Sequence, residues 1–247
     1  MTALALAAAF LSADDPRQFF ELRVYRNDAA DKQHAVLDYV ADGLVPALNR
    51  AGVETVGVFE PIAEMNEGQS AHDVFVLIPY ETLDRVTEVR DALAADETLQ
   101  ACDFFKATPR DPNYARMDTS LMRAFAGMPT LEVPRPPDEP RVFELRTYES
   151  HTQERAAKKV DMFNAGEIDV MKEVGLAPVF YGETLFAGDT PNLRYMMSGP
   201  DAETHAENFQ GFLDHPTWDK LKKDPQYRQT VSKITKTFLR RARGSQI

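Results

Sequence analysis

The chain of 247 residues carries 39 acidic against 28 basic side chains, a formal net charge of -11, with 43% hydrophobic and 27% charged residues, an ordinary soluble globular composition. Such a surface repels phosphate backbones and anionic lipids, which argues against nucleic acid as a partner. A single cysteine, Cys102, excludes an intrachain disulfide framework and any cysteine-cluster metal site.

The chain opens on an apolar run, Leu4 to Leu11, followed by Ser12-Ala13 and then Asp14-Asp15-Pro16. The run is too short to span a bilayer, so no stable membrane span is expected. It resembles the apolar region and cleavage site of a secretory signal, although the usual basic residues ahead of it are missing. The expectation is a signal at 1–13 and a protein exported to the periplasm or beyond, with a mature chain starting near Asp14. The alternative is an apolar tail on a cytoplasmic protein.

From residue 19 onward, apolar and polar residues alternate as in a strand through Arg26. Residues 31–51 then carry Val36, Tyr39, Val40, Leu44 and Leu48 at helical spacing up to Gly52, which fits a helix C-terminus. Two strands at 53–62 and 73–80 read as a hairpin, followed by a helix at 82–95, a short helical piece near 97–107 and a strand near 118–126. Residues 127–140 hold five prolines in fourteen residues and are expected to form a stiff connector outside either core. The same order then returns: strand 141–149, helix 153–174, strands 177–186 and 192–199, helical segments over 201–231, strand 233–241. The closing basic run, Lys233, Lys236, Arg240, Arg241 and Arg243, reads as a solvated face.

The return is a duplication. Sliding the chain by 123 positions places Phe20-Glu-Leu-Arg23 on Phe143-Glu-Leu-Arg146, Tyr25 on Tyr148, Gly52 on Gly175 and Glu60 on Glu183. Each copy is β-α-β-β-α-β, the ferredoxin-like unit, an antiparallel sheet with both helices on one face. The other face is bare, and an equivalent sheet is the simplest cover for it. The expected fold class is therefore α+β: two ferredoxin-like repeats, at 19–126 and 141–243, packed sheet to sheet as an intramolecular pseudo-dimeric α+β barrel.

The FELRxY strand, the helix ending in glycine before a Val or Leu strand, and the segment Phe212-Leu-Asp-His-Pro-Thr-Trp-Asp-Lys-Leu221 resemble the NIPSNAP family over both repeats. The second repeat matches better, since the first has Asp96-Glu-Thr-Leu99 where the second has His215-Pro-Thr-Trp218. The resemblance implies the same barrel fold. Animal members of the family are associated with mitochondria and with vesicle or autophagy functions, and related barrels include cofactor-free monooxygenases and haem-degrading enzymes. Fold alone does not carry those activities over.

If Phe20, Leu22 and Val24 face the helices, Glu21, Arg23 and Tyr25 point into the barrel and meet Glu144, Arg146 and Tyr148 there. Two readings of that set stand side by side. In one, the arginines and tyrosines bind a small anionic or aromatic ligand. In the other, each Glu and Arg neutralise one another and serve the fold. His205, His215 and Trp218 are further ligand-binding candidates because they cluster in the second repeat. The simpler account makes His215 a helix-start residue and Trp218, Phe209, Phe212 and Leu213 core. The five histidines show no metal-ligand spacing, and no phosphate loop, dinucleotide fingerprint or nucleophile elbow occurs, so neither metal nor cofactor is expected. The leading function is a non-catalytic small-ligand-binding or interaction module, with room for a further homo-oligomer. The rival is a cofactor-independent oxidoreductase or monooxygenase, holding its substrate between the sheets and working through Arg23, Arg146, Tyr25, Tyr148 and His205.

Overall fold

The computed structural model describes residues 15–134 and 139–247. The expected signal at 1–13 lies outside the described residues. The first repeat runs β1 (Phe19–Arg26), α1 (Ala30–Tyr39), a π-helical turn (Val40–Leu44), α2 (Val45–Arg50), β2 (Gly57–Pro61), β3 (Val74–Tyr80), α3 (Leu83–Ala95), α4 (Glu97–Gln100) and β4 (Arg116–Ala124). The second runs β5 (Val142–Glu149), α5 (Gln153–Met162), a π-helical turn (Phe163–Glu167), α6 (Ile168–Glu173), β6 (Ala177–Phe186), β7 (Asn192–Gly199), α7 (Ala202–Asp214), α8 (Pro216–Lys223) and β8 (Lys233–Arg241).

Local chemistry accounts for many of these boundaries. Thr82, Thr152 and Asp201 start α3, α5 and α7 by accepting the backbone N–H of Arg85, Arg155 and Thr204 on their side-chain oxygens. Gly52 and Gly175, both at φ 84°, follow the ends of α2 and α6 in the left-handed conformation that glycine adopts without strain.

The strands close in the order β1-β3-β2-β8-β5-β7-β6-β4. Each repeat supplies one four-stranded sheet, and the sheets join through the antiparallel pairs β2 with β8 and β4 with β6. Closure gives each exposed strand edge a partner, so the duplicated chain satisfies with its own second half the hydrogen bonds that an open sheet would leave free.

Closure also decides which face is which, and it reverses the expectation from the sequence. Phe20, Leu22 and Val24 point into the barrel, where they pack with Phe143, Leu145 and Phe180. Phe20 meets Phe180 with ring centroids 5.3 Å apart, and Phe59 meets Phe143 at 4.9 Å. Glu21, Arg23, Tyr25 and their counterparts Glu144, Arg146, Tyr148 lie on the outer face, beneath the helices. The physical reason is that an eight-stranded barrel is just wide enough for side chains to fill and is sealed by its own ladder, so a charge inside would be fully desolvated. The seam between sheet and helices has gaps, and both arginine heads keep a little solvent contact there.

The connector is also more than a spacer. The Gln18 N–H donates to Pro129 O at 2.8 Å, the Glu132 N–H donates to Val179 O at 3.0 Å, and Met128 is buried in the second repeat's helix-side core. Prolines lose a donor but keep their carbonyls, and an extended proline-rich segment can lie along the barrel wall as well as leave it. The C-terminal residues seal one end: Ile247 is buried in the barrel core and the Gln246 N–H donates to Val56 O at 2.8 Å. The basic run at the end of the chain is drawn onto acidic neighbours, with Arg240 on Glu60, Lys233 on Glu149 and Arg243 on Asp38 and Asp42.

Candidate functional site

Strands β1 and β5 stand four places apart in the eight-stranded ring, on opposite sides of the barrel. The two FELRxY motifs therefore never meet, and each builds its own polar site under its own helices.

In the second repeat, Arg146 Nε donates to Glu144 Oε1 at 2.9 Å, and its terminal nitrogen donates to the hydroxyls of Tyr148 at 3.2 Å and Tyr195 at 3.4 Å. The Tyr195 hydroxyl donates onward to Tyr148 at 2.9 Å. The second Glu144 oxygen lies 2.9 Å from His205 Nε2. Above this row, Lys159 and Glu167 form an ion pair at 2.7 Å, with both side chains almost fully buried. Glu167 is turned inward by the π-helical turn, where Gly166 takes φ 135° and shifts the angular register of the helix. Aromatic rings close the top: Phe209 lies 4.3 Å from the Arg146 guanidinium, and Trp218 5.3 Å from the Lys159 ammonium.

Electrostatics sorts these groups. Burial pushes the Glu144 carboxyl up, but the His205 hydrogen bond and the Arg146 charge outweigh it and hold the group below the ordinary carboxylate range. Burial raises Glu167 despite the adjacent Lys159. Burial likewise raises Tyr148, and Tyr195 well above the ordinary phenol value, so both are neutral hydroxyls at physiological pH.

The first repeat answers with fewer charges. Arg23 donates to both Glu21 oxygens, at 2.7 and 3.2 Å, and the Tyr80 hydroxyl donates to Oε2 at 2.7 Å. Burial opposes ionisation of Glu21, yet Arg23, the Tyr80 hydrogen bond and the nearby charge of Arg90 together lower its pKa. The strand registers make Arg23–Val76 equivalent to Arg146–Tyr195, so Val76 stands where the second repeat has Tyr195. By the same alignment Val36 and Leu44 replace Lys159 and Glu167, Val86 replaces His205, Leu99 replaces Trp218 and Arg90 replaces Phe209. With the two large rings gone, an open cleft of about 310 Å³ remains, lined by Glu21, Arg23, Tyr39, Arg90, Leu99 and Phe105 among others. Arg90 makes no hydrogen bond or ion pair among the described residues.

The residues singled out in the sequence thus separate into three groups. Glu21, Arg23 and Tyr25 belong to the first site, with Tyr25 packed edge-on against Tyr114 at 5.2 Å. Glu144, Arg146, Tyr148 and His205 share the second, and Trp218 covers it while stacking near Phe212 at 4.7 Å. His215 stands apart: its Nδ1 accepts the Thr217 N–H at 3.2 Å and starts α8, as the simpler account held. Lys159, Glu167, Tyr195, Tyr80 and Arg90 went unnoticed in the sequence. The signal was present, because aligning the repeats puts Lys159 on Val36 and Glu167 on Leu44, charges at positions where the other copy needs core.

Two ferredoxin-like sheets closed into one barrel, each with a polar row under its helices, define a single-chain α+β barrel protein. A family model, NIPSNAP, matches residues 20–126 and 143–246, and the chain belongs to that family. No curated protein sequence matches it. Among solved structures it is similar to a candidate monooxygenase from Lactobacillus acidophilus NCFM, with TM-score 0.61, 10% identity, 93% of this chain and 98% of that one covered. A second candidate monooxygenase, from Fusobacterium nucleatum, gives TM-score 0.58, 7% identity and coverage of 93% and 96%. An anthrone oxidase-like protein gives TM-score 0.56, 9% identity and coverage of 94% and 95%. These likenesses establish the fold and leave the activity to the sites.

Proposed function

We propose that this NIPSNAP protein is a non-catalytic binding module that receives a small anionic molecule between the sheet and helices of its first repeat. The observation that carries this is the open cleft of about 310 Å³ beside Glu21 and Arg23, with Arg90, which makes no hydrogen bond or short ion pair among the described residues, on its wall. Glu21 and Arg23 cancel one another, so Arg90 leaves a net positive site on a chain whose overall charge is -11. An anion there gains a charge-assisted hydrogen bond, and the cleft lies at the lower end of the size range of small-ligand sites. Calorimetric titration with short carboxylates and with phosphate tests the proposal. Binding of an anion to the wild type, reduced at least tenfold by Arg90→Gln, is the expected result. An unaffected Arg90→Gln protein, or no binding by any anion, would overturn it.

A second reading rests on His205. It is 2% exposed, its Nε2 faces Glu144, and its Nδ1 has no hydrogen-bond partner. A buried imidazole held on a carboxylate with one nitrogen left over is a fit proton acceptor, and the rival function, cofactor-independent oxidation, needs one. Its substrate would have to enter beneath α7, not the apolar barrel interior. Oxygen uptake with anthrone as the probe, lost in His205→Gln, is the signature of this reading; no uptake by the wild type ends it.

Export is part of the proposal and rests on the apolar run Leu4 to Leu11 ahead of Asp14. N-terminal sequencing of the natural protein should begin near Asp14, and an intact Met1 would remove the argument.

A further inference from the structure

We infer that the ligand of the first-repeat cleft is an amphipathic monocarboxylate, with its head on Arg90 and its apolar body across the rim formed by Phe105, Met117 and Phe186. The inference rests on that cleft being a binding site. A second cleft of about 410 Å³ shares Glu21, Arg90 and Thr119 with the first and adds Val86, Leu121 and Phe186. The two adjoin at those shared residues, and the second reaches Phe186 on β6 across the β4–β6 seam, so both repeats contribute to the depression.

Its rim is unusually apolar for a surface. Phe186 is 68% exposed, Phe105 47% and Met117 40%, three of the six large hydrophobic side chains left exposed among the described residues. Large apolar side chains left in water around a concave polar centre mark a place where something apolar is received. The charge limits the head. Glu21 and Arg23 neutralise each other and Arg90 supplies one positive charge, so the depression balances a monoanion. A phosphate dianion would meet the buried Glu21 carboxylate with twice the repulsion and only the Arg90 guanidinium in return.

The test is calorimetric titration, below the micellar range, with decanoate, acetate, inorganic phosphate and decanol, one at a time. Decanoate should bind at least tenfold more tightly than acetate, phosphate or decanol. Arg90→Gln should weaken decanoate at least tenfold, and Phe186→Ser with Phe105→Ser should do the same. Ile234→Ser, which removes an apolar side chain 52% exposed outside the depression, should leave binding unchanged. Among the substituted positions Phe105 alone packs on other rings, Tyr39 and Phe104, and matching circular dichroism spectra check that each variant is folded. If acetate or phosphate binds as tightly as decanoate, the ligand class is wrong while the anion site stands. Decanol binding as well as decanoate also overturns the class. If no anion binds, or Arg90→Gln changes nothing, the binding site itself falls. If Phe186→Ser turns a dimer into a monomer in sedimentation, the rim is an interface between copies, and the inference is overturned.

Discussion

The two repeats use one strand motif to solve one problem in different ways. Each buries a glutamate beside an arginine and brings one further group from another element onto the second carboxylate oxygen. The first repeat uses Tyr80, at the end of β3. The second has Gly199 at that place and reaches the carboxylate with His205 from α7. The exchange is steric as well as chemical: a Cβ on Gly199 would lie 2.8 Å from the His205 Cβ, so the histidine can occupy its position only over a glycine. Above the motif the first repeat packs Val36 and Leu44, and the second a buried ion pair. The molecule thus contains its own apolar control for a buried salt bridge.

The largest effect should come from breaking that ion pair. Glu167→Leu alone leaves Lys159 buried without its partner and should cost about 3–5 kcal/mol. Lys159→Val with Glu167→Leu, which copies the first repeat, should recover most of that loss. Urea denaturation of the three proteins decides, and a double variant no more stable than the single one would break the comparison. Next, Tyr80→Phe removes a hydroxyl donor from a buried carboxylate in the first repeat and should cost about 1.5–3 kcal/mol. The same measurement on a variant with an unchanged midpoint would mean that Arg23 alone satisfies Glu21.

Gly199→Ala should cost about 1–3 kcal/mol by overpacking. It should also shift the His205 imidazole resonances as the ring is pushed off Glu144; an unmoved ring would mean that the glycine is not what admits the histidine. The smallest effect concerns pH. Glu21 and Glu144 are both lowered by folding, so the stability they confer is present above the ordinary carboxylate range and is lost as pH falls through their lowered values. Glu144→Gln should flatten the acid side of the stability profile recorded by thermal melts, and an acid limb as steep as the wild type's would assign that loss to other groups.

Much of the architecture was legible in the chain. The repeated FELRxY strand, the paired glycines after α2 and α6 and the order of elements led to two ferredoxin-like units closed as a barrel, with strands 177–186 and 192–199 at their observed bounds. These features are local or periodic, and backbone preference with hydrophobic spacing is enough to reveal them. His205 was picked out only as a neighbour of Trp218. Its contact with Glu144 is made across 61 residues and needs the helix laid on the sheet.

The direction of the motif could not be read locally. A period of two says that Glu21, Arg23 and Tyr25 share a face opposite Phe20, Leu22 and Val24. When both faces are buried, it does not say which one lies inward. That was decided by barrel closure, because a sealed eight-stranded interior excludes charge while the seam under the helices tolerates it. The duplication, the element order and the pairing of Glu with Arg were properties of the sequence. The placement of those pairs outside the barrel, the opening of one site and the filling of the other by Phe209 and Trp218 belong to the tertiary structure, since each depends on side chains brought together from distant strands and helices.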